Sequence, residues 1–387
     1  MTLDKLKDPK VQEYINASLK ADLHSLLLKK SPFDGLSMQD LVQQIQGKKI
    51  AEKKFPFLLR EGIIFPPHLN LEQSSSEATG NYKRSLIKGK SFIDLTSGFG
   101  IDSYFLSQDF EEVSLVEQNT SLFEIVRSNW SILGRKAVFI NSELEDFLSI
   151  NTKKFDCIFL DPARRDSNKN KVFLLEDLSP NILAIQDELL RVGKQVLIKL
   201  SPLIDITYLL SVLKNVTDIH IVAVKNDVKE ILVSTSSLQD IDNVNISCIN
   251  LESGDTILSF NFDEISTAKS TFGPVEDYLY IPNNSVLKSG AFNLVSQHFN
   301  LVKLHPNTHF YTSKIYNKNF PGRVLKVEAI NPKELKKGDK FNIISKNYPL
   351  KPDQIKKKYK INDGGEQYLI FTEDIKGKVV YKSTEIL

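Results

Sequence analysis

Between residues 89 and 236 short apolar runs alternate with amphipathic stretches, the rhythm of a parallel sheet wound with helices. The predicted strands are Ser91–Asp94, Val113–Glu117, Ala137–Ile140, Phe155–Leu160, Gln195–Leu200, Ile219–Val224 and Glu230–Ser234. A helix is predicted over 121–133, and Ser179-Pro180 reads as the start of another. The link from Lys225 to Lys229 is too short for a crossover helix, so the last two strands should pair antiparallel. The expected architecture over 86–236 is therefore α/β, a seven-stranded, doubly wound, Rossmann-like sheet with a final hairpin.

The pattern changes on both sides of this block. Residues 1–85 read as a helical segment, with Asp8-Pro9 as a cap followed by proline in the first turn and Ser37 to Asp40 as a capping box. Residues 65–79 are polar and proline-marked, an extended stretch suited to lie over a ligand as a lid or to serve as a plain linker. Gln73, Glu77 and Thr79 are its candidate substrate contacts. After about 236 short strand-like pieces alternate with turns, which predicts separate small α+β modules over 237–320 and 321–387.

Composition narrows the class. The chain has 387 residues, 41% hydrophobic and 25% charged, enough for two or three domains with real cores. Its 50 basic and 48 acidic side chains leave a net charge of +2, so any nucleic-acid footprint must be local. Only two cysteines, Cys157 and Cys248, occur, and no signal-peptide pattern or long apolar run is present. A cytoplasmic protein with no membrane partner is the expectation.

The candidate chemistry sits at the strand ends. Asp94 closes the first strand, Gly98 and Gly100 turn the chain, and Glu117 closes the second strand. Glycines there let backbone approach a nucleotide, and an acid after the second strand accepts from ribose hydroxyls. A dinucleotide fingerprint would want a third glycine near 103, where this chain has Ser103. A carboxylate at the first strand tip repels a diphosphate but suits a cation, which favours S-adenosylmethionine, a sulfonium nucleoside. An ordinary strand–turn–helix connection could use the same glycines. The wider frame argues against that, because Asn141-Ser142-Glu143 and Asp161 end the next strands at the same rim. The expected cofactor contacts are Asp94, Thr96, Gly98, Gly100, Asp102, Glu117, Gln118, Ser142 and Glu143.

Methyl transfer from a sulfonium needs a positioned nucleophile and the handling of one proton, and no metal. Asp161-Pro162 lies where amine-directed enzymes of this type carry an acid or amide, two prolines and an aromatic, but Ala163 and Arg164 replace the last two. Asp161, Pro162 and Arg164 are the catalytic candidates. Arg164 can stack on a base or hold a phosphate, Arg164 and Arg165 can instead pair with Glu176 or Asp177, and Lys199 can touch substrate or solvate a strand end. Cysteine-dependent carbon methylation is disfavoured, since Cys157 lies inside a strand and Cys248 beyond the block. His305 and His309 have metal-pair spacing, but Pro306 spoils the helix this needs. Residues 333–360 hold ten lysines against Glu334, Asp339 and Asp353, leaving +7. Interleaved with Phe341, Tyr348 and Tyr359, this run is either solvated surface or an RNA contact through Lys356, Lys357 and Lys358.

These pieces together resemble a family of bacterial class I S-adenosylmethionine-dependent methyltransferases with a THUMP-like C-terminal domain. The motifs that carry the resemblance are Glu72–Thr79, Asp94–Gly100, Asp161–Arg165, Lys199–Pro202, Tyr280–Asn284 and Phe320–Arg323. The resemblance implies a ferredoxin-like module near 272–313 and a THUMP-like tail from about 321. THUMP domains bind RNA in tRNA-modifying enzymes, so it also implies an RNA substrate, tRNA or rRNA. Two other readings stand beside it: a methyltransferase for small molecules or proteins, and a catalytically silent RNA-binding protein on the same scaffold.

Overall fold

The computed structural model describes residues 2–66, 71, 74–164, 174–238, 243–253 and 257–386. The chain divides into two compact units, Met1–Thr217 with Ile231–Ile241, and Asp218–Glu230 with Asp242–Leu387. No described helix is long and apolar enough to cross a membrane.

The first unit opens with helices Thr2–Leu6, Pro9–Ala17, Leu23–Leu27 and Met38–Lys54. Both predicted caps form. Asp8 accepts from the Lys10 amide at 2.9 Å, and Ser37 and Asp40 exchange side-chain and backbone bonds at 3.1 and 2.8 Å. The segment after residue 74 differs from the extended reading: Ser76 caps a helix over Glu77–Ser85. Its buried face carries Thr79, Gly80 and Lys83, which lack the apolar stripe that would announce a helix in sequence.

The strands of this unit begin with β1 (Ser91–Asp94), β2 (Glu112–Glu117), β3 (Val138–Asn141) and β4 (Phe155–Leu160). A two-residue ribbon follows, β5 (Ala163–Arg164) with β6 (Leu178–Ser179), and then β7 (Gly193–Leu200). β1 lies parallel between β2 and β4, with β3 beyond β2 and β7 beyond β4. Ser179 is thus a strand residue rather than a helix start, and Asn181 caps the helix Ile182–Val192 instead. β8 (Val216–Val224) and β9 (Asp227–Ser236) are joined by Lys225 and Asn226, both at positive φ, the tight turn that returns a strand antiparallel.

The sheet has nine strands rather than seven, in the order β11-β10-β8-β9-β7-β4-β1-β2-β3. The seven predicted strands are all present. The extra pair comes from β10 (Asn245–Leu251), parallel to β8, and β11 (Leu258–Asn261), antiparallel to β10. β10 buries five consecutive residues, and an unpaired β8 edge would leave a row of backbone groups for such a strand to satisfy.

In the second unit β12 (Tyr278–Pro282), β13 (Val302–His305) and β14 (Thr308–Ser313) make up the ferredoxin-like part. The THUMP-like part has β15 (Gly322–Ala329), β16 (Lys340–Ser345), β17 (Asn362–Asp374) and β18 (Gly377–Ile386). The two parts are not separate sheets. They share one sheet in the order β13-β14-β12-β15-β18-β17-β16 because β12 pairs antiparallel with β15. The two C-terminal motifs build that seam: Pro282 lies opposite Gly322, and the Asn283 amide donates to the Pro321 carbonyl at 2.9 Å. A Cβ on Gly322 would lie 2.2 Å from the Ile281 carbonyl oxygen. Gly322→Ala should therefore lower unfolding free energy by about 2–3 kcal/mol through forced strand separation, read from denaturant melts.

Candidate active site

A cavity of about 340 Å³ opens at the carboxyl ends of the parallel strands of the first unit. Its floor is the β1 turn. Gly98 and Gly100 have φ of 53° and 76°, a region that disfavours side chains, and a Cβ on Gly100 would meet Trp130 Nε1 at 2.8 Å. The turn brings the Gly98 amide to Glu117, whose Oε2 accepts it at 2.8 Å while Oε1 accepts the Asn119 amide at 2.7 Å. Both oxygens are thereby fixed at the cavity edge, with lone pairs left for a diol. Val116, Leu122 and Leu144 supply the apolar wall.

Opposite Glu117 three aspartates and two lysines form one network. Asp94 is buried; Oδ1 accepts from the Thr96 amide at 2.9 Å and Oδ2 from the Ser103 hydroxyl. Thr96 Oγ1 accepts the Asp161 amide at 2.7 Å, tying the ends of β1 and β4 together. Lys199, on β7, bridges Asp161 Oδ2 at 2.5 Å and Asp102 Oδ2 at 3.1 Å. Lys83 is fully buried and pairs with Asp102 Oδ1 at 3.1 Å, and the Ser75 hydroxyl donates to Asp102 Oδ2 at 3.0 Å.

Burial pushes the Asp94 carboxyl up to about 7, reinforced by Asp102 and Asp161 and opposed by its two hydrogen bonds. Burial pushes Asp102 the same way, but the pull of Lys199 and Lys83 outweighs it and holds that carboxyl below the usual range. Both thiols are buried, and burial pushes Cys157 upward and Cys248 up to about 12, so neither is a ready nucleophile.

A family described as conserved hypothetical protein 95 matches residues 74–188, a ferredoxin-like domain matches 278–321, and a THUMP-like domain matches 322–381. Among solved structures, a "putative methyltransferase" from Porphyromonas gingivalis W83 is 29% identical, covering 97% of this chain and 98% of that one with a TM-score of 0.86. The chain has the class I methyltransferase fold. A rRNA methylase from Streptococcus thermophilus is 14% identical over 42% of this chain and 95% of its own, with a TM-score of 0.31. No match is found among curated proteins.

The cavity is lined by Asp94, Thr96, Gly98, Gly100, Asp102, Glu117, Gln118 and Ser142. Glu143 is exposed just ahead of the helix Leu144–Ile150, and Glu145 of that helix lines the cavity in its place. Asp161 and Ala163 also line it, with Pro162 between them. The Arg164 backbone pairs with Leu178; its side chain, with all of Gln73 and Arg165, lies outside the described residues. Glu77 is exposed, whereas Thr79 is buried and its hydroxyl donates to the Ser76 carbonyl at 3.0 Å, a bond within the first turn of its own helix.

Sequence reasoning missed Lys83 and Ser75. Lys83 reaches the site because Gly80, one turn earlier, lets its helix close on Phe105; a Cβ there would lie 2.5 Å from that ring. Glu-Ala-Thr-Gly-Asn-Tyr-Lys shows no apolar stripe, so the one available signal was a lysine four residues after a buried-face threonine. In the second unit Lys357 and Lys358 are exposed, while Lys356 pairs with Asp353 at 2.8 Å and Asp363 at 2.5 Å. His305 and His309 flank a strand turn, and His309 stacks on Phe292 at 3.5 Å.

Removing Lys83 strands part of a buried charge. Lys83→Met should destabilise the protein by about 3 kcal/mol at neutral pH in chemical denaturation. Asp102 is held below its usual range, so the stability its pairing contributes is present above that range and lost as acid protonates it. The deficit of the variant should accordingly narrow in strong acid.

Proposed function

We propose that the protein is an S-adenosylmethionine-dependent methyltransferase that modifies RNA, tRNA or rRNA, in the cytoplasm. The observation that carries the cofactor reading is that Glu117 and Asp94 line one cavity: a fixed carboxylate suited to two hydroxyls and a buried carboxylate suited to a cation. The donor set fits this cofactor and opposes a diphosphate. Val116, Leu122 and Leu144 would flank its purine, and Glu117 its ribose. When bound, the group supplies a methyl already activated for displacement.

Asp161 then has the task of orienting the nucleophile. Lys199 occupies Oδ2, which leaves Oδ1 to accept a hydrogen bond from an incoming N–H or O–H. Half-exposed at the rim, Asp161 can be reached by a large substrate.

RNA is favoured by the THUMP-like domain and by the lysines of 333–360. The aromatics of that run are engaged in packing. Phe341 is core, and Tyr348 and Tyr359 pack on Phe371 at 5.3 and 5.7 Å between ring centres. Contact there would rest on phosphate neutralisation by exposed lysines.

Calorimetric titration should show S-adenosylmethionine binding that Glu117→Ala weakens by about tenfold or more, since two charge-assisted bonds are lost. Unchanged affinity would refute the cofactor reading. Because β12 and β15 share a sheet, truncation at 321 would break the fold, so charge reversal is the better test of the RNA reading. Lys357→Glu with Lys358→Glu should weaken RNA binding and reduce the salt slope by about two. Nucleoside mass spectrometry of RNA from a deletion strain should then show one methylated nucleoside missing; an unchanged profile counts against RNA as substrate.

A further inference from the structure

Of the three clustered aspartates, Asp94 alone has only neutral hydrogen-bond partners among the described residues. It is 1% exposed, and its oxygens accept from the Thr96 amide and the Ser103 hydroxyl. The charged groups around it are otherwise engaged or of the same sign. On the neighbouring helices Lys83 pairs with Asp102; on β7 Lys199 bridges Asp102 and Asp161; on β2 Glu117 is a further anion; on β4 Cys157 is a buried thiol. Among the described residues no ion pair is formed by Asp94, yet it lines the cavity. A buried charge without a counter-ion is strongly disfavoured, and a ligand that brings a positive charge removes the penalty.

Resting on the cofactor reading above, we propose that Asp94 distinguishes the methylated cofactor from its demethylated product by charge, binding ionised against the sulfonium and protonated against the neutral sulfide. Asp94 faces one positive charge fewer after transfer. On transfer the methyl carbon would exchange its bond to sulfur for a bond to the nucleophile, the electron pair would stay on sulfur, and the proton of the nucleophile would pass to solvent. Asp94 then takes up a proton from solvent, so no unpaired charge remains buried and the product loses the attraction that held the cofactor. Two features of the site support this. Thr96 joins Asp94 to Asp161 through consecutive hydrogen bonds, which places the carboxylate beside the group that would orient the nucleophile. Burial also sets the Asp94 carboxyl at about 7, where either protonation state is accessible.

The test is calorimetric titration of the intact protein with S-adenosylmethionine and with S-adenosylhomocysteine between about pH 5.5 and 7. Affinity for the sulfonium should fall about tenfold over that range as Asp94 protonates, whereas affinity for the sulfide should change by less than about threefold. Titration of the unmodified protein in two buffers of different ionisation enthalpy should show a proton released on binding the sulfonium alone. Asp94→Asn should flatten the sulfonium profile and bring the two affinities together. Parallel profiles for both ligands, or equal proton release, would overturn this proposal and leave the cofactor reading intact. Failure of both ligands to bind at every pH would overturn both.

Discussion

Carboxylates gathered at the tips of adjacent strands repel one another, and in a space shielded from water that repulsion must be met by cations or by protons. Asp102 and Asp161 are met by cations: Lys199 stands between them and Lys83 closes on the far side of Asp102. Asp94 is met by burial and a raised affinity for a proton. Much of the surrounding structure is arranged to make this division hold. Lys83 arrives on a helix outside the strand framework, and Gly80 permits the approach that brings it in. The residues before β1 are thus part of the site and not an appendage to it.

The second unit divides its residues by a different rule. Its shared sheet carries one core of Leu279, Leu304, Phe310, Leu325, Ile370 and Tyr381, and another of Phe341, Ile355, Ile361, Leu369, Phe371 and Val380. The helix Pro352–Tyr359 contributes Ile355 to the second core and presents Lys357 and Lys358 to solvent. An amphipathic helix of this kind turns its apolar residue to the core and its charge to solvent, so the lysines are the exposed part of a run whose rings pack on Phe371 or lie in the core.

The seven strands and the glycine turn were legible because both depend on local, periodic signals. β4 begins and ends where its apolar run does, and Gly98 and Gly100 occupy positive φ as a tight turn requires. β10 and β11 were not legible as sheet members, because nothing in Asn245–Leu251 specifies which edge it joins. The Lys83–Asp102 pair was hidden for the same reason: it links positions 19 apart through helix packing that the sequence of neither helix encodes. Asp161 and Lys199 could each be marked as rim residues, but their mutual bond follows only from β4 and β7 being adjacent.

Ser103 shows how one residue can decide the cofactor class twice. A glycine there would allow the close helix approach that a pyrophosphate site uses. The serine forgoes that and donates its hydroxyl to Asp94, holding the carboxylate at the strand tip, where it would repel a diphosphate. A hydroxyl serves here better than an amine would. A lysine would cancel the charge of Asp94 and leave nothing for a cationic ligand, whereas a hydroxyl orients the oxygen and remains compatible with both protonation states. On the proposed reading, the preference for a sulfonium over a phosphate and the response to its loss would both depend on the carboxylate that this hydrogen bond holds in place.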